Sequence, residues 1–170
     1  TGEQYDKGGA SARAGEILPE LLERFLEEDF FRKEGPKSTG RETFNLDYIN
    51  SAIKSVGNRE NFSPEDIQAT LLELTVVSIA SNIHVLKPHN IKDIYLCGGG
   101  GANIFLVEQL KKALDSCVVK STADLGIDPD HVESCAFAWL AQQRISGRPV
   151  TLTTGGERKQ LVLGALYQAP

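Results

Sequence analysis

Four consecutive glycines, Gly98-Gly99-Gly100-Gly101, stand between an apolar run ending in Leu96-Cys97 and a stretch from Asn103 with helical spacing. Glycine adopts positive φ at no steric cost, and without a Cβ it lets a ligand approach the bare main chain. The helix N-terminus that follows offers free N–H groups to a polar or anionic group. A nucleotide is the natural ligand for such a turn; a tight turn with no ligand is the plainer alternative. A Rossmann dinucleotide site is a poor match. Gly98-x-Gly100-x-x-Asn103 lacks the third glycine, and Val119-Lys120-Ser121 on the next strand carries no acid for a ribose hydroxyl.

Glu133, in DPDHVESCAFAWLA, falls in the first turn of a helix, where an acid simply complements the dipole. The run from Lys37 to Glu42, KSTGRE, puts cations and hydroxyls around a glycine; it could meet an anion, but a solvated polar loop is the better reading. Cys97, His84, His89 and His131 have no matching partners nearby in sequence, so they carry no catalytic expectation. Cys97, Cys117 and Cys135 show no C-x-x-C spacing and no zinc-completing histidines, which predicts no metal site and a reduced, cytoplasmic setting.

These groups sit in a chain of 170 residues, 41% hydrophobic and 24% charged, enough for one globular domain. A net charge of −5 and a pI near 5.2 argue against nucleic acid and anionic membranes as partners, since both select a cationic surface. The longest apolar runs fall short of the roughly 18 residues that cross a bilayer, and TGEQYDKGG has no basic-then-apolar leader pattern. Neither secretion nor membrane insertion is expected. The sequence begins at Thr1 and has no methionine, so we expect a piece of a longer chain.

The elements that must position the candidates follow from periodicity. Residues 1–15 are Gly- and Ser-rich; Ile17, Leu18, Leu21, Leu22, Phe25 and Leu26 predict an amphipathic helix through Glu27. FRKEGPKSTGRETFN reads as a long ordered loop. Asn45 caps a helix with Ile49, Ala52, Ile53 and Val56 on one stripe, ended by Gly57 and Asn58. Ser63, Pro64, Glu65 and Asp66 open a helix that reaches about Leu86. Its apolar residues cover most of its circumference, which predicts burial on two sides. Residues 91–97 form a strand, Asn103–Leu114 a helix and Val118–Thr122 a second strand. Asp130 is expected to cap a helix from His131 to about Ile145, stopped by Gly147, and Leu161–Leu166 is strand-like.

PKSTGRETFN, SPEDIQATLLELTVVSIA, LCGGGGAN and VESCAFAWLA, in this order and at these intervals, resemble the anhydro-N-acetylmuramic acid kinase family, and TTGGERKQLVLGALY resembles its ending. The resemblance spans nearly the whole chain. YDKGG stands where the family commonly has Asp-Lys-Asp-Gly, Gly101 replaces a more variable residue, and Gly156 stands where alanine is common. The resemblance implies an α/β, RNase-H-like (actin-like ATPase) C-terminal lobe, helix-rich with an incomplete small sheet. It implies a kinase that opens the 1,6-anhydro bond of anhydro-N-acetylmuramic acid while transferring the ATP γ-phosphoryl group to O6, with Mg²⁺. Residue by residue, Gly98, Gly99, Gly100 and Asn103 match the adenosine motif, and Glu133 matches an acid at the sugar site. The family's Asp-Gly-Thr-Ser and Asp-Thr-Gly-Pro-Gly segments are not in this sequence. No catalytic residue is therefore expected here, and the N-terminal lobe becomes a partner beside ATP and the sugar, with homodimerisation left open. A non-catalytic nucleotide-binding or interaction module derived from that lobe is the alternative.

Overall fold

The computed structural model describes residues 4–35, 37–57, 61–86, 90–154 and 157–167. Asp6 opens it, its carboxylate accepting from the Ser11 amide at 2.8 Å and the Ala12 amide at 3.0 Å. Those contacts anchor a 3-10 turn, Lys7–Gly9, and the short helix α1, Ala10–Ala14. Residues 1–15 give no helical expectation, because five residues are too few to display a 3.6-residue period. Helix α2, Pro19–Leu26, starts two residues later than the apolar spacing predicts. Pro19 occupies the first helical position and Leu18 stays extended before it (φ −95°, ψ 102°). The predicted loop begins with one more turn of helix, α3, Asp29–Arg32.

Asn45 caps α4, Leu46–Val56, by accepting from the Tyr48 amide at 3.0 Å, and Gly57 follows its last residue. Ser63 caps α5, Pro64–Val85, with its hydroxyl accepting from the Asp66 amide at 3.0 Å. The two-sided burial predicted for α5 is present. Leu72, Val76 and Ala80 face a core with Ala12, Leu110, Leu114 and Val119, while Leu74 enters a second core with Leu21, Phe25, Ala52 and Ile53. Phe25 and Leu21 are fully buried, each contributing roughly 1.5–3 kcal/mol relative to exposure. Thr70 is the buried polar residue between these parts. Its hydroxyl donates to the Asp66 carbonyl at 2.8 Å and accepts from the Leu18 amide at 3.0 Å, so the turn before α2 is tied to α5.

Strand β1, Asp93–Leu96, pairs in parallel with β2, Val118–Ser121, and α6, Ile104–Ala113, connects them. Ile94, Leu96 and Val119 turn toward the α5 and α6 side of this pair. Helix α7, Val132–Ile145, begins without the Asp130 cap expected from sequence. Asp128 instead accepts from the Asp130 amide at 2.9 Å, forming a 3-10 turn, Pro129–His131, and His131 at the helix start makes no side-chain cap. The strand expected at Leu161–Leu166 is also displaced: β3, Val150–Thr154, pairs antiparallel with β4, Glu157–Leu161. The charged ERKQ stretch hid this strand from an apolar-run criterion, although the Gly-Gly between the two is a hairpin signal. Gly156 itself lies outside the described residues, as does His89. The result is a helix-rich α/β chain with small sheets, in which no described helix is long and apolar enough to cross a membrane.

Candidate nucleotide site at the glycine turn

Leu96 ends β1 and the glycines turn at once into a 3-10 segment, Gly99–Ala102. Gly98 has φ 70° and ψ −175°, a conformation that costs an L side chain about 1–3 kcal/mol, so glycine is required at this position. The turn is held from three directions. The Gly98 amide donates to the Pro129 carbonyl at 2.9 Å, Gly101 to the Gly98 carbonyl at 3.0 Å, and Asn103 to the Gly100 carbonyl at 3.2 Å. Among the described residues nothing takes the amides of Gly99 and Gly100. A Cβ added to Gly98 or Gly99 would meet no atom within 4 Å. Bare main chain with two available donors beside open space is what a polar ligand group needs.

Asn103 stands at the N-cap of α6, its Oδ1 accepting from the Leu106 amide at 3.0 Å. That engages the side-chain oxygen and leaves the amide nitrogen as the group available to a ligand.

A cavity of about 390 Å³ opens at the C-terminal ends of both parallel strands. Leu96, Gly98, Gly101 and Ala102 line it from the first strand and its turn; Val119 and Ser121 line it from the second. Ligands in open α/β sheets bind at this end of the strands, and the volume is within the range of small-molecule sites. Lys111, Lys120, Asp124, Asp128 and Asp130 supply its charge. Sequence reasoning passed over Asp124, which lies just beyond β2 rather than within it. Its carboxylate accepts from the Ser121 amide at 3.3 Å while the Ser121 hydroxyl accepts from Ala123 at 3.2 Å. The Ser-x-x-Asp spacing was the available signal for that local box.

Of the expected residues, Gly98 lines this cavity; Gly99 and Gly100 continue the same turn beside it, and Asn103 follows. Glu133 does not line it. It is exposed in the first turn of α7 and has no hydrogen bond or ion pair among the described residues. The Pro129 carbonyl contact to Gly98 nonetheless ties the turn that precedes α7 to the glycines. No group of three His, Cys, Asp or Glu side chains among the described residues is arranged to hold a metal ion.

The Lys37–Glu42 loop belongs to another part of the surface. Lys37 donates to the Lys33 carbonyl at 3.0 Å and lies 4.8 Å from the Phe30 ring centroid, and Asn45 donates to the carbonyls of Arg41 and Glu42, both at 3.2 Å. The loop is folded onto an aromatic cluster. Phe30, Phe31, Phe44 and Tyr48 wall a groove of about 350 Å³ that carries no charged side chain.

A strand, a glycine turn with free amides and a capped helix thus frame an open main-chain site in a helix-rich α/β protein. Comparison with known proteins gives the family. The family model for anhydro-N-acetylmuramic acid kinase matches residues 1–169, and the chain belongs to that family. It is 44% identical over 170 residues to the anhydro-N-acetylmuramic acid kinase of Aliivibrio fischeri, covering 99% of this chain and 45% of the relative. The corresponding protein of Pseudomonas syringae pv. tomato is 43% identical over 168 residues, covering 98% of this chain and 45% of the relative. That of Legionella pneumophila strain Corby is 44% identical over 167 residues, 98% and 44% respectively. The chain therefore spans somewhat less than half the length of these relatives.

Proposed function

We propose that this chain is the C-terminal, RNase-H-like lobe of an ATP-dependent cytoplasmic kinase that opens the 1,6-anhydro bond of anhydro-N-acetylmuramic acid and phosphorylates O6. The observation that carries this reading is the open Gly98–Gly100 main chain at the C-terminal ends of two parallel strands, in a chain of this family. The residues present fit an adenosine: free amides at Gly99 and Gly100, and space where side chains would otherwise stand. ATP supplies the phosphoryl group when bound, while these residues orient its nucleoside end. Glu133 is assigned to the sugar through the family motif, at a position that a second lobe would have to enclose. Mg²⁺ is usually held by one or two carboxylates together with the phosphates of the nucleotide, so it would enter with ATP rather than on a preformed group of three side chains, which the described residues do not hold.

Phosphoryl transfer requires phosphate cradling and a positioned nucleophile acting together. This chain supplies one wall. The full-length protein should convert anhydro-N-acetylmuramic acid and ATP to a 6-phosphorylated, ring-opened sugar, measured by mass spectrometry, and the purified 170-residue chain should not. Product from the 170-residue chain alone would place the nucleophile-activating group within it and sink the division of labour; no product from the full-length protein would sink the activity.

A further inference from the structure

Strand β1, the glycine turn, α6 and β2 make one parallel strand–helix–strand unit, and the C-terminal ends of its two strands open into the same cavity of about 390 Å³. Adjacent strands lie about 4.8 Å apart, so the two ends are neighbours. The glycine turn stands at the end of β1, and Asp124 lines the cavity from the turn that follows Ser121 at the end of β2. In units of this topology a nucleotide lies across the strand ends, with its phosphates at the turn after the first strand and its ribose hydroxyls on an acid after the second. Val118–Ser121 contains no acid, but the fold supplies one in the turn beyond it. The dinucleotide fingerprint is still absent, with Asn103 in place of its third glycine, and the likeness is confined to where the acid stands.

Asp124 is held in place. Its Oδ2 accepts from the Ser121 amide at 3.3 Å, the Ser121 hydroxyl accepts from the Ala123 amide at 3.2 Å, and Gly126, at φ 82°, closes the 3-10 turn Thr122–Leu125 by donating to the Ala123 carbonyl at 2.9 Å. A carboxylate accepts at both oxygens, so one main-chain bond orients the group and leaves Oδ1 without a partner among the described residues. The other two acids of the cavity differ. The Asp128 Oδ1 is engaged by the Asp130 amide at 2.9 Å, in the turn whose Pro129 carbonyl holds Gly98. The Asp130 side chain makes no bond among the described residues, so nothing there fixes its direction. Lys120 is paired with Asp93 at 2.7 Å, which leaves three carboxylates facing Lys111. That balance favours hydroxyl donors in the cavity and keeps phosphate oxygens toward the uncharged glycine amides.

We propose that Asp124 reads the ribose of the nucleotide. Its carboxylate accepts from the 2′- and 3′-hydroxyls of a nucleoside whose phosphates lie toward the Gly99 and Gly100 amides, and the site thereby selects ribonucleotides over their deoxy analogues. The proposal rests on the nucleotide reading above and adds to it the residue that sets this selectivity.

The test is calorimetric binding of ATP and of 2′,3′-dideoxy-ATP to the full-length protein and to its Asp124→Asn variant. Asparagine still accepts from the Ser121 amide and so keeps the turn, but it removes the charge offered to the hydroxyls. The parent should bind ATP about tenfold or more tightly than the dideoxy analogue, the effect of losing hydrogen bonds to a charged group. In Asp124→Asn the two affinities should come within about twofold of each other, because ATP binding weakens while the analogue's is unchanged. A purely structural role would weaken both nucleotides alike and preserve the ratio, which would overturn the proposal. Collapse of the ratio in Asp130→Asn but not in Asp124→Asn would overturn it as well. A parent protein that binds both nucleotides equally would refute the ribose assignment and leave the nucleotide reading standing, whereas one that binds neither would sink that reading and this proposal with it.

Discussion

Gly9 lies so close to Asn103 that a Cβ at position 9 would fall 2.3 Å from the Asn103 Oδ1 and 2.6 Å from the Phe105 Cβ. The first turn of the chain is thus wedged against the residue that caps α6 and closes the glycine turn. Gly9 also has φ 77°, so alanine there meets both a clash and an unfavourable backbone. Gly9→Ala should lower stability by roughly 2–4 kcal/mol. Gly8→Ala, with φ 65° but nothing within 4 Å of the added Cβ, should cost only about 1–2 kcal/mol. Denaturant titration of the two variants side by side checks this; equal midpoints would show that the contact with Asn103 carries no weight.

Gly99 is the position where a larger side chain tests the ligand rather than the fold. Its φ is outside the left-handed range and no atom stands within 4 Å of an added Cβ, so Gly99→Val should leave stability within about 1 kcal/mol of the parent. In the full-length protein the valine would occupy the approach to the main chain and raise the ATP Kd about tenfold or more, a change of at least ~1.4 kcal/mol. Sugar affinity should be nearly unchanged. Calorimetry with each ligand separates the cases, and an unaltered ATP affinity would reduce the glycines to a tight turn.

Glu133, proposed above for the sugar, is exposed in the first turn of α7. Enclosed against a sugar hydroxyl, its carboxylate would make a charge-assisted hydrogen bond worth about 1.5–3 kcal/mol. Glu133→Gln should then lower kcat/KM of the full-length protein by roughly ten- to a hundredfold with little change in melting temperature. Normal kinetics with a lowered melting temperature would make it a dipole-complementing acid only.

Tyr48 gives a pH signature. Its hydroxyl donates to the Phe25 carbonyl at 2.7 Å, and burial, reinforced by the Glu28 charge, pushes its pKa from 10.0 up to about 12. The neutral phenol is favoured in the folded state, so the unfolded chain releases the proton first. Its stabilisation is full below about pH 10 and is lost as the pH rises toward 12. Tyr48→Phe should lose about 1 kcal/mol at pH 8 with the hydrogen bond. Its stability should also fall less steeply between pH 10 and 12; parallel slopes for the two proteins would remove Tyr48 from the alkaline transition.

The helices legible in the sequence were those whose caps and stripes agree: Asn45 before α4, Ser63-Pro64 before α5, and the glycine run followed by Asn103 before α6. There, side-chain chemistry decides the boundary locally. Asp130 failed because two aspartates flank Pro129 and the earlier one, Asp128, makes the turn. α1 was hidden by its length, and β4 by charged residues on a strand that, among the described residues, pairs with β3 alone. At the site, the free amides follow from glycine composition and could be anticipated. The pairing of the Gly98 amide with the Pro129 carbonyl joins residues far apart in sequence, and no local pattern encodes it. Nor could periodicity alone say that α7, apolar enough for an interior, has no buried residue in this chain.

The two faces of α5 set a limit on how the chain can vary in length. Leu72 and Val76 are committed to one core and Leu74 to the other, so rotational phase along this helix is shared information. A one-residue insertion near Ser63 would be absorbed by the loop before it. The same insertion after Thr70 would turn everything beyond it by about 100° relative to Thr70 and its tie to Leu18. Both sets of leucines and valines would then point away from the cavities cut for them. Sequence drift in this helix is therefore open to substitution and closed to insertion and deletion over its central turns.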